Sequence, residues 1–427
     1  MKKQEILDKH QKYLFSSVAN YYDEPLVVDH AKGCFIYDSE GKEYLDFFGG
    51  ILTISVGHCN EKVTAAIDAQ THKLQHASTL YPNEPHVRLA EKLAQITPGR
   101  LQKSFFTNSG TEANETAVLI AQLSTKCQDV FALRHSYSGR SYMALSLTGN
   151  ASWRIAPTTV PGIHHIANAY CYRCPFGLTY PSCELKCAKD LEEAIQTETS
   201  GRVAALVAEP IQGVGGYITP PKEYFSEITS ILKKYGGLFI CDEVQTGWGR
   251  TGGKMFGIEH WGVEPDIMTF AKGMANGVPI GATIASPEVA DSIKGLTIST
   301  FGGNPVTATA AQATIEVIEE ENLVENARVM GDRLRQGLEA LKSKYPVIGD
   351  VRGMGLMQAM ELVGENKKPD AASLKRLFEA TKRNGLLIGK GGLWGNVVRI
   401  APPLNVNKDQ VDNAVQLLDR SFAQLGQ

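Results

Sequence analysis

The chain has 427 residues, 43% hydrophobic and 21% charged, with a formal net charge of -3, the composition of a globular protein large enough for two domains. The balanced charge, without a block of five like charges, gives no polybasic surface and argues against nucleic-acid or anionic-membrane partners. The opening MKKQEILDKHQKYLF lacks the apolar core of a signal peptide, no aliphatic run nears the ~20 residues that span a bilayer, and the eight cysteines fit a reducing compartment, so a cytoplasmic location is expected.

From Cys34 to Phe47 two alternating runs flank the turn residues Asp38 to Gly41 and predict a hairpin. Gly49 and Gly50 follow, where the backbone either passes close to a ligand or simply turns. Helical spacing over Asn60 to His76 and Pro85 to Ile96 brackets STLYPNEP, in which Tyr81 is either a pocket residue or packing. KSFFTNSGTEANETAVLIAQL then reads as strand, glycine turn and helix. Ser109 and Glu112 have the spacing of a capping box, which explains them unaided. The functional alternative is that Gly110 and Thr111 offer N–H groups to a phosphate at the helix N-terminus. DVFALRH is a strand, and HSYSGRSYMALSLTG restarts a helix with Tyr137 and Arg140 at the turn, an aromatic well placed to cover a flat ring.

The segment Cys171 to Cys187 holds C-x2-C, an eight-residue spacer and C-x3-C. Such pairs can close a tetrahedral zinc site, with Cys171, Cys174, Cys183 and Cys187 as ligands; the alternative is reduced thiols in a surface loop. Beyond it strands and helices alternate, through GRVAALVAEP, PPKEYFSEITSILKKYGG, LFICDEV, PDIMTFA and PIGATIAS, which predicts an α/β layered fold. LFIC ends in Asp242 and Glu243, and DIMTFA in Lys272. A carboxylate and an amine at two strand ends suit a cofactor site, since ligands of open α/β sheets sit there, although an ordinary ion pair would read the same. STFGGNP (Ser299 to Pro305) opens one long helical run through Lys344, read as the hinge to a smaller C-terminal domain. The expected division is 1–50 as an arm and hairpin joined to the small domain, 51–325 as the large domain and 326–427 as the C-terminal small domain. The last part holds strand-like VRGMGLMQAMEL, a helix near Ala371 to Arg383, strands GLLIGK and NVVRIAPP, and a closing helix.

GRTGGK (Gly249 to Lys254) lacks the first glycine of a nucleotide loop and continues into Met255; Gly353 and Gly355 lack the third glycine of a dinucleotide fingerprint; serine elbows and H-E-x-x-H are absent. What remains, TNSGTEANE, EPIQG, DEVQTGWGRTG, PDIMTFAKG and STFGGNP in that order, resembles a class III aminotransferase of the fold-type I pyridoxal phosphate enzymes, from about Leu26 to the C-terminus. The resemblance implies a large domain built on a central, mostly parallel seven-stranded sheet, with a smaller α+β C-terminal domain. It implies pyridoxal 5'-phosphate as cofactor, Lys272 as the Schiff-base lysine and general base, and Asp242 as partner of the pyridinium nitrogen. Gln245 would neighbour the ring's 3-oxygen, Gly110 and Thr111 bind the phosphate, Tyr137 stack on the ring and Glu209 orient the pocket. Thr300 would reach the phosphate of the other subunit of a homodimer, or of a dimer of dimers, with a shared active site.

For the substrate, the resemblance makes Arg399 the carboxylate-binding arginine and matches Arg140 to the arginine that some relatives use for an ω-amino acid carboxylate; Tyr81, from its place between the two helices, is the further candidate substrate contact. In ornithine-type relatives a glutamate after EPIQG restrains that arginine, and here the position is Val214, which leaves Arg399 free for a bidentate contact. A histidine common before the glycine next to Arg140 is replaced by Ser138. These departures, with the cysteine loop, are most similar to the alanine–glyoxylate aminotransferase 2 and ω-amino acid:pyruvate branch. The expected activity is ping-pong transfer of an amino group from alanine or a β- or ω-amino acid to glyoxylate or pyruvate. The alternatives are a decarboxylase, aminomutase or racemase on the same fold, and, from another class, a non-catalytic scaffold binding cofactor or zinc.

Overall fold

The computed structural model describes residues 1–426 apart from 19 and 158. A surface helix, Lys3–Tyr13, buries no residue. It precedes β1 (Val28–Lys32), β2 (Phe35–Asp38) and β3 (Glu43–Asp46). β2 and β3 form the expected antiparallel hairpin, whose turn Asp38 stabilises by accepting the backbone N–H groups of Glu40 and Lys42, each at 2.9 Å.

The body of the molecule is a seven-stranded sheet of β4 (Lys103–Thr107), β5 (Val130–Leu133), β6 (Ile163–Ile166), β7 (Ala205–Ala208), β8 (Leu238–Asp242), β9 (Ile267–Phe270) and β10 (Gly281–Ala285). Their order is β4-β10-β9-β8-β7-β5-β6. β5 to β9 run parallel, and β10 is antiparallel to both its neighbours. The inner strands are buried on both faces, which is why they read as unbroken apolar runs rather than as alternation. Successive side chains nonetheless serve different cores. Phe239, Cys241, Met268 and Phe270 face one layer. Ile240, Ile267 and Val207 face the other, where Ala117, Val118 and Ala121 of the helix Gly110–Thr125 cover them.

The helical run after Pro305 is two helices, not the single one expected. Pro305–Glu320 and Leu323–Lys344 are separated where Asn322 adopts a left-handed backbone at φ 51°. Beyond them lie β11 (Ile348–Met354), β12 (Met357–Leu362), β13 (Leu386–Leu387), β14 (Gly389–Gly391) and β15 (Val397–Ile400). Four of these form an antiparallel sheet in the order β11-β12-β15-β14. β13 instead pairs in parallel with β3, so the N-terminal hairpin and the C-terminal segment share a sheet. VRGMGLMQAMEL, expected as one strand-like run, is a hairpin that turns at Gly355, with φ 51°. No helix among the described residues is long and apolar enough to cross a membrane.

Candidate active site

Because β8 and β9 are parallel neighbours with Asp242 level with Thr269, Asp242 and the Lys272 that follows β9 emerge at the same sheet edge. They line one cavity of about 480 Å³, together with Gly110, Thr111, Tyr137, Arg140, Glu209 and Gln245. Eight residues singled out in the sequence, spread over more than 160 positions, are thus brought together by the strand order.

Asp242 forms the floor. Its Oδ2 accepts the Asn114 side-chain amide at 2.8 Å and its Oδ1 the Val244 N–H at 3.0 Å. Asn114 is itself held by the Thr269 hydroxyl, which donates to Oδ1 at 2.8 Å, and donates to the Ser138 carbonyl at 2.9 Å. Burial pushes the Asp242 carboxyl above its ordinary range, while the Asn114 and Val244 donors and the Lys272 charge pull it back. A cationic N–H beside it would favour the ionised form. Sequence reasoning missed Asn114. The signal was an amide on the otherwise apolar buried face Ala113, Ala117, Val118 and Ala121 of its helix.

Lys272 opens into the cavity from a left-handed backbone at φ 42°. Burial lowers its amine below the ordinary 10.5, against the raising effect of Asp242 and Glu209 and with a further lowering by Arg399. Glu209 is buried, and its two oxygens accept the N–H groups of Tyr137 at 3.3 Å and Gly213 at 2.7 Å. Burial, and then the nearby Asp242, raise its carboxyl.

The helix Gly110–Thr125, which carries Asn114, also presents its N-terminus to the cavity, capped by Ser109, which accepts the Glu112 N–H at 3.4 Å. The reciprocal half of the expected capping box is displaced, because Glu112 accepts the N–H of Asn108 at 2.6 Å instead. Thr111 Oγ accepts the N–H groups of Arg140 at 3.1 Å and Ser141 at 3.0 Å, which folds the following turn over the helix end. Gly139 makes this possible: at φ 139° any Cβ would fall 2.3 Å from Thr111 Oγ. Oriented N–H groups and the positive end of a helix dipole form a seat for an anion. The buried Oε1 of Gln245 has no protein partner, and only a glycine at 213 leaves room for that side chain.

Three expected site residues stand apart from the cavity lining. Tyr81 is 68% exposed, and Thr300 lies on an exposed segment beside Leu296, Ile298 and Phe301. Arg399, on β15, is buried behind the turn at Gly213, donating from Nη1 to its carbonyl at 3.4 Å and from Nε to that of Lys390 at 2.9 Å. Its guanidinium lies over Phe48 at 4.9 Å, and among the described residues no carboxylate forms an ion pair with it or with Arg140.

The zinc site expected at the cysteine loop is not supported. Cys171, Cys174, Cys183 and Cys187 line one small cavity as free thiols, yet among the described residues no group of three or more potential ligands is arranged to hold a metal ion. Burial, followed by the neighbouring thiols, pushes Cys187 up to about 12.

A family model described as Aminotransferase class-III matches residues 17–422. The chain is 42% identical over 423 residues to the mitochondrial alanine–glyoxylate aminotransferase 2 homolog 2 of Arabidopsis thaliana, covering 98% of this chain and 87% of that protein. It is 39% identical over 430 residues to a leucine/methionine racemase of Thermococcus litoralis, covering 99% and 96%. Among solved structures, a Bacillus anthracis aminotransferase matches with a TM-score of 0.93 at 32% identity, over 99% of this chain and 100% of that one.

Proposed function

The chain belongs to the class-III aminotransferases, and on that premise we propose that it moves an amino group from alanine or a β- or ω-amino acid to glyoxylate or pyruvate, by a ping-pong route. As a member of this family it is a pyridoxal phosphate-dependent transaminase. The residues present fit that cofactor on three structural grounds: the buried carboxylate of Asp242, the orphaned Gln245 oxygen and the glycine-lined helix terminus at Gly110. When bound, the group supplies an electron sink for the pair released as the substrate Cα–H bond breaks.

In this reading Asp242 would keep the ring nitrogen protonated, Gly110 and Thr111 would seat the phosphate, Tyr137 would stack on the ring, Gln245 would neighbour its 3-oxygen and Glu209 would orient the pocket. Lys272 would hold the cofactor through its amine and, with substrate bound, would carry the Cα proton. A base acts when neutral, and the Lys272 amine is free only once substrate is bound, so kcat is expected to rise with pH through the lowered lysine value and to level off below the ordinary 10.5. A pH profile that still climbs at 10.5 would contradict it.

The observation that carries the substrate reading is Arg399, a buried guanidinium near the lysine that pairs with no carboxylate among the described residues, Val214 standing where a restraining glutamate would be. Arg140 at the cavity mouth and Tyr81 are the further contacts we assign to substrate. Arg399→Lys is expected to raise KM for α-amino acids by roughly 30-fold, about 2 kcal/mol, the worth of a charge-assisted pair. Amines without a carboxylate should suffer far less. A donor-by-acceptor matrix on purified protein tests the whole reading: no oxo product from any amino acid with glyoxylate or pyruvate would end it. The racemase relative favours one second reading, in which Cα is deprotonated and reprotonated without transfer of nitrogen. Isomer formation and solvent deuterium at Cα, without an oxo acid, would select it.

We further propose that the chain works as a homodimer, or a dimer of such dimers, in which the exposed apolar segment around Thr300 meets the partner's site. The exposure of Leu296, Ile298 and Phe301 supports this. Light scattering should return at least twice the monomer mass. The eight free cysteines fit a cytoplasmic location. We also propose 51–325 as the larger domain, with 1–50 joining 326–427 in the smaller; the pairing of β3 with β13 supports that grouping.

A further inference from the structure

One fully buried carboxylate has no part in the chemistry above. Glu361, on β12, is 0% exposed, a costly place for a charge unless it is paired and hydrogen-bonded. It receives four donors from three parts of the chain. The Tyr170 hydroxyl and the Arg173 Nε reach it from the cysteine loop after β6. Arg352 on β11 donates from Nη1 at 2.8 Å, and the Asn396 amide from the β14–β15 turn at 3.3 Å.

What the cluster holds in place is the seat of Arg399. Glu361 pairs across the sheet with Val397, and Ala359 with Arg399, so the carboxylate and the guanidinium belong to one stretch of the β12–β15 ladder. Arg352, fixed by Glu361 and by Asp350 at 2.8 Å, donates from Nε to the Gly216 carbonyl at 2.8 Å. Gly216 closes the turn whose Gly213 carbonyl accepts Arg399 Nη1 and whose Val214 carbonyl accepts the Gly392 N–H at 2.9 Å. Arg173 in turn lies over the Trp394 ring at 5.2 Å, on the loop that leads from β14 to β15. Both walls around Arg399, the 213–216 turn and the 390–399 hairpin, are therefore tied to a single carboxylate. A guanidinium placed 1 Å off loses its bidentate geometry toward a planar carboxylate.

We propose that Glu361, clamped by Arg352 and Arg173, is a positioning residue for substrate carboxylate recognition: it sets the place of Arg399 and thereby the preference for amino acids over simple amines. This rests on the reading of Arg399 as the carboxylate-binding arginine. Two variants test it, Glu361→Gln and, because loss of a fully buried charge can unfold the chain, Arg173→Gln, whose side chain is 16% exposed. Each is assayed with alanine and with a carboxylate-free arylalkylamine as donor, pyruvate being the acceptor. For Arg173→Gln we expect KM for alanine to rise about tenfold while the arylamine values stay within about twofold, a coupling within the range of contacting networks. In an Arg399→Lys background the same change should add nothing further. Equal losses for both donors, or full additivity with Arg399→Lys, would overturn the proposal. If Arg399→Lys alone leaves alanine KM unchanged, the reading of Arg399 fails instead, and the two failures are told apart.

Discussion

Lys272→Ala is expected to lower transamination by about 10⁴-fold, the upper range for a positioned general base and nucleophile. Among the residues lining the cavity Lys272 is the only one with an amine side chain, so no neighbour can take over either holding the cofactor or carrying the Cα proton. Arginine at this position should fare no better. Its guanidinium keeps its proton at any pH the enzyme meets and cannot act as a base. Two measurements check this. Turnover should vanish in the steady-state assay, and borohydride treatment of cofactor-loaded protein should add cofactor mass to the wild-type chain but not to the variant. An alanine variant with wild-type rate would revive the scaffold reading.

The second large effect is expected at the floor of the site. Asp242→Asn should cut kcat by about 10²- to 10³-fold, the loss usual when a preorganised charge opposite the reacting group is removed. It should also weaken cofactor affinity, read by absorbance titration. Part of the cost is local, because the new amide can present a donor where Asn114 already donates at 2.8 Å, leaving two N–H groups opposed. Asn114→Ala separates the terms. It keeps the carboxylate charge while removing its orientation, and is expected to cost about ten times less than Asp242→Asn. Equal losses from both variants would mean that orientation, not charge, is what the site needs.

These residues were accessible to sequence reasoning because β8 is a short apolar run that ends in Asp242 and β9 one that is followed within two residues by Lys272. What periodicity does not encode is the order of strands. That β10 runs antiparallel and lies between β4 and β9 has no trace in a five-residue apolar run. β6 went unread because His164 and His165 sit in the middle of its four residues, and both find polar partners there, in Asp129 and the Leu147 carbonyl. The break at Asn322 was invisible because apolar residues recur at helical spacing both before and after it and neither proline nor glycine marks it. The cysteine spacing suggested a metal, but spacing along a loop does not say where four sulfurs converge. Glu361 escaped notice for a related reason: in MQAMEL a glutamate reads as the solvent side of a strand, and only the tertiary fold shows all six residues buried.

The left-handed backbone at Lys272 carries a thermodynamic consequence. An L-residue held there costs about 1–2 kcal/mol that glycine would not pay, and the alanine variant inherits that cost in full. Lys272→Gly, equally inactive, is therefore expected to melt higher than Lys272→Ala in cofactor-free protein, by about 1 kcal/mol in denaturant titrations once glycine's looser unfolded chain is subtracted. At this one position folding and catalysis ask for different residues, and the lysine that remains marks which demand prevailed.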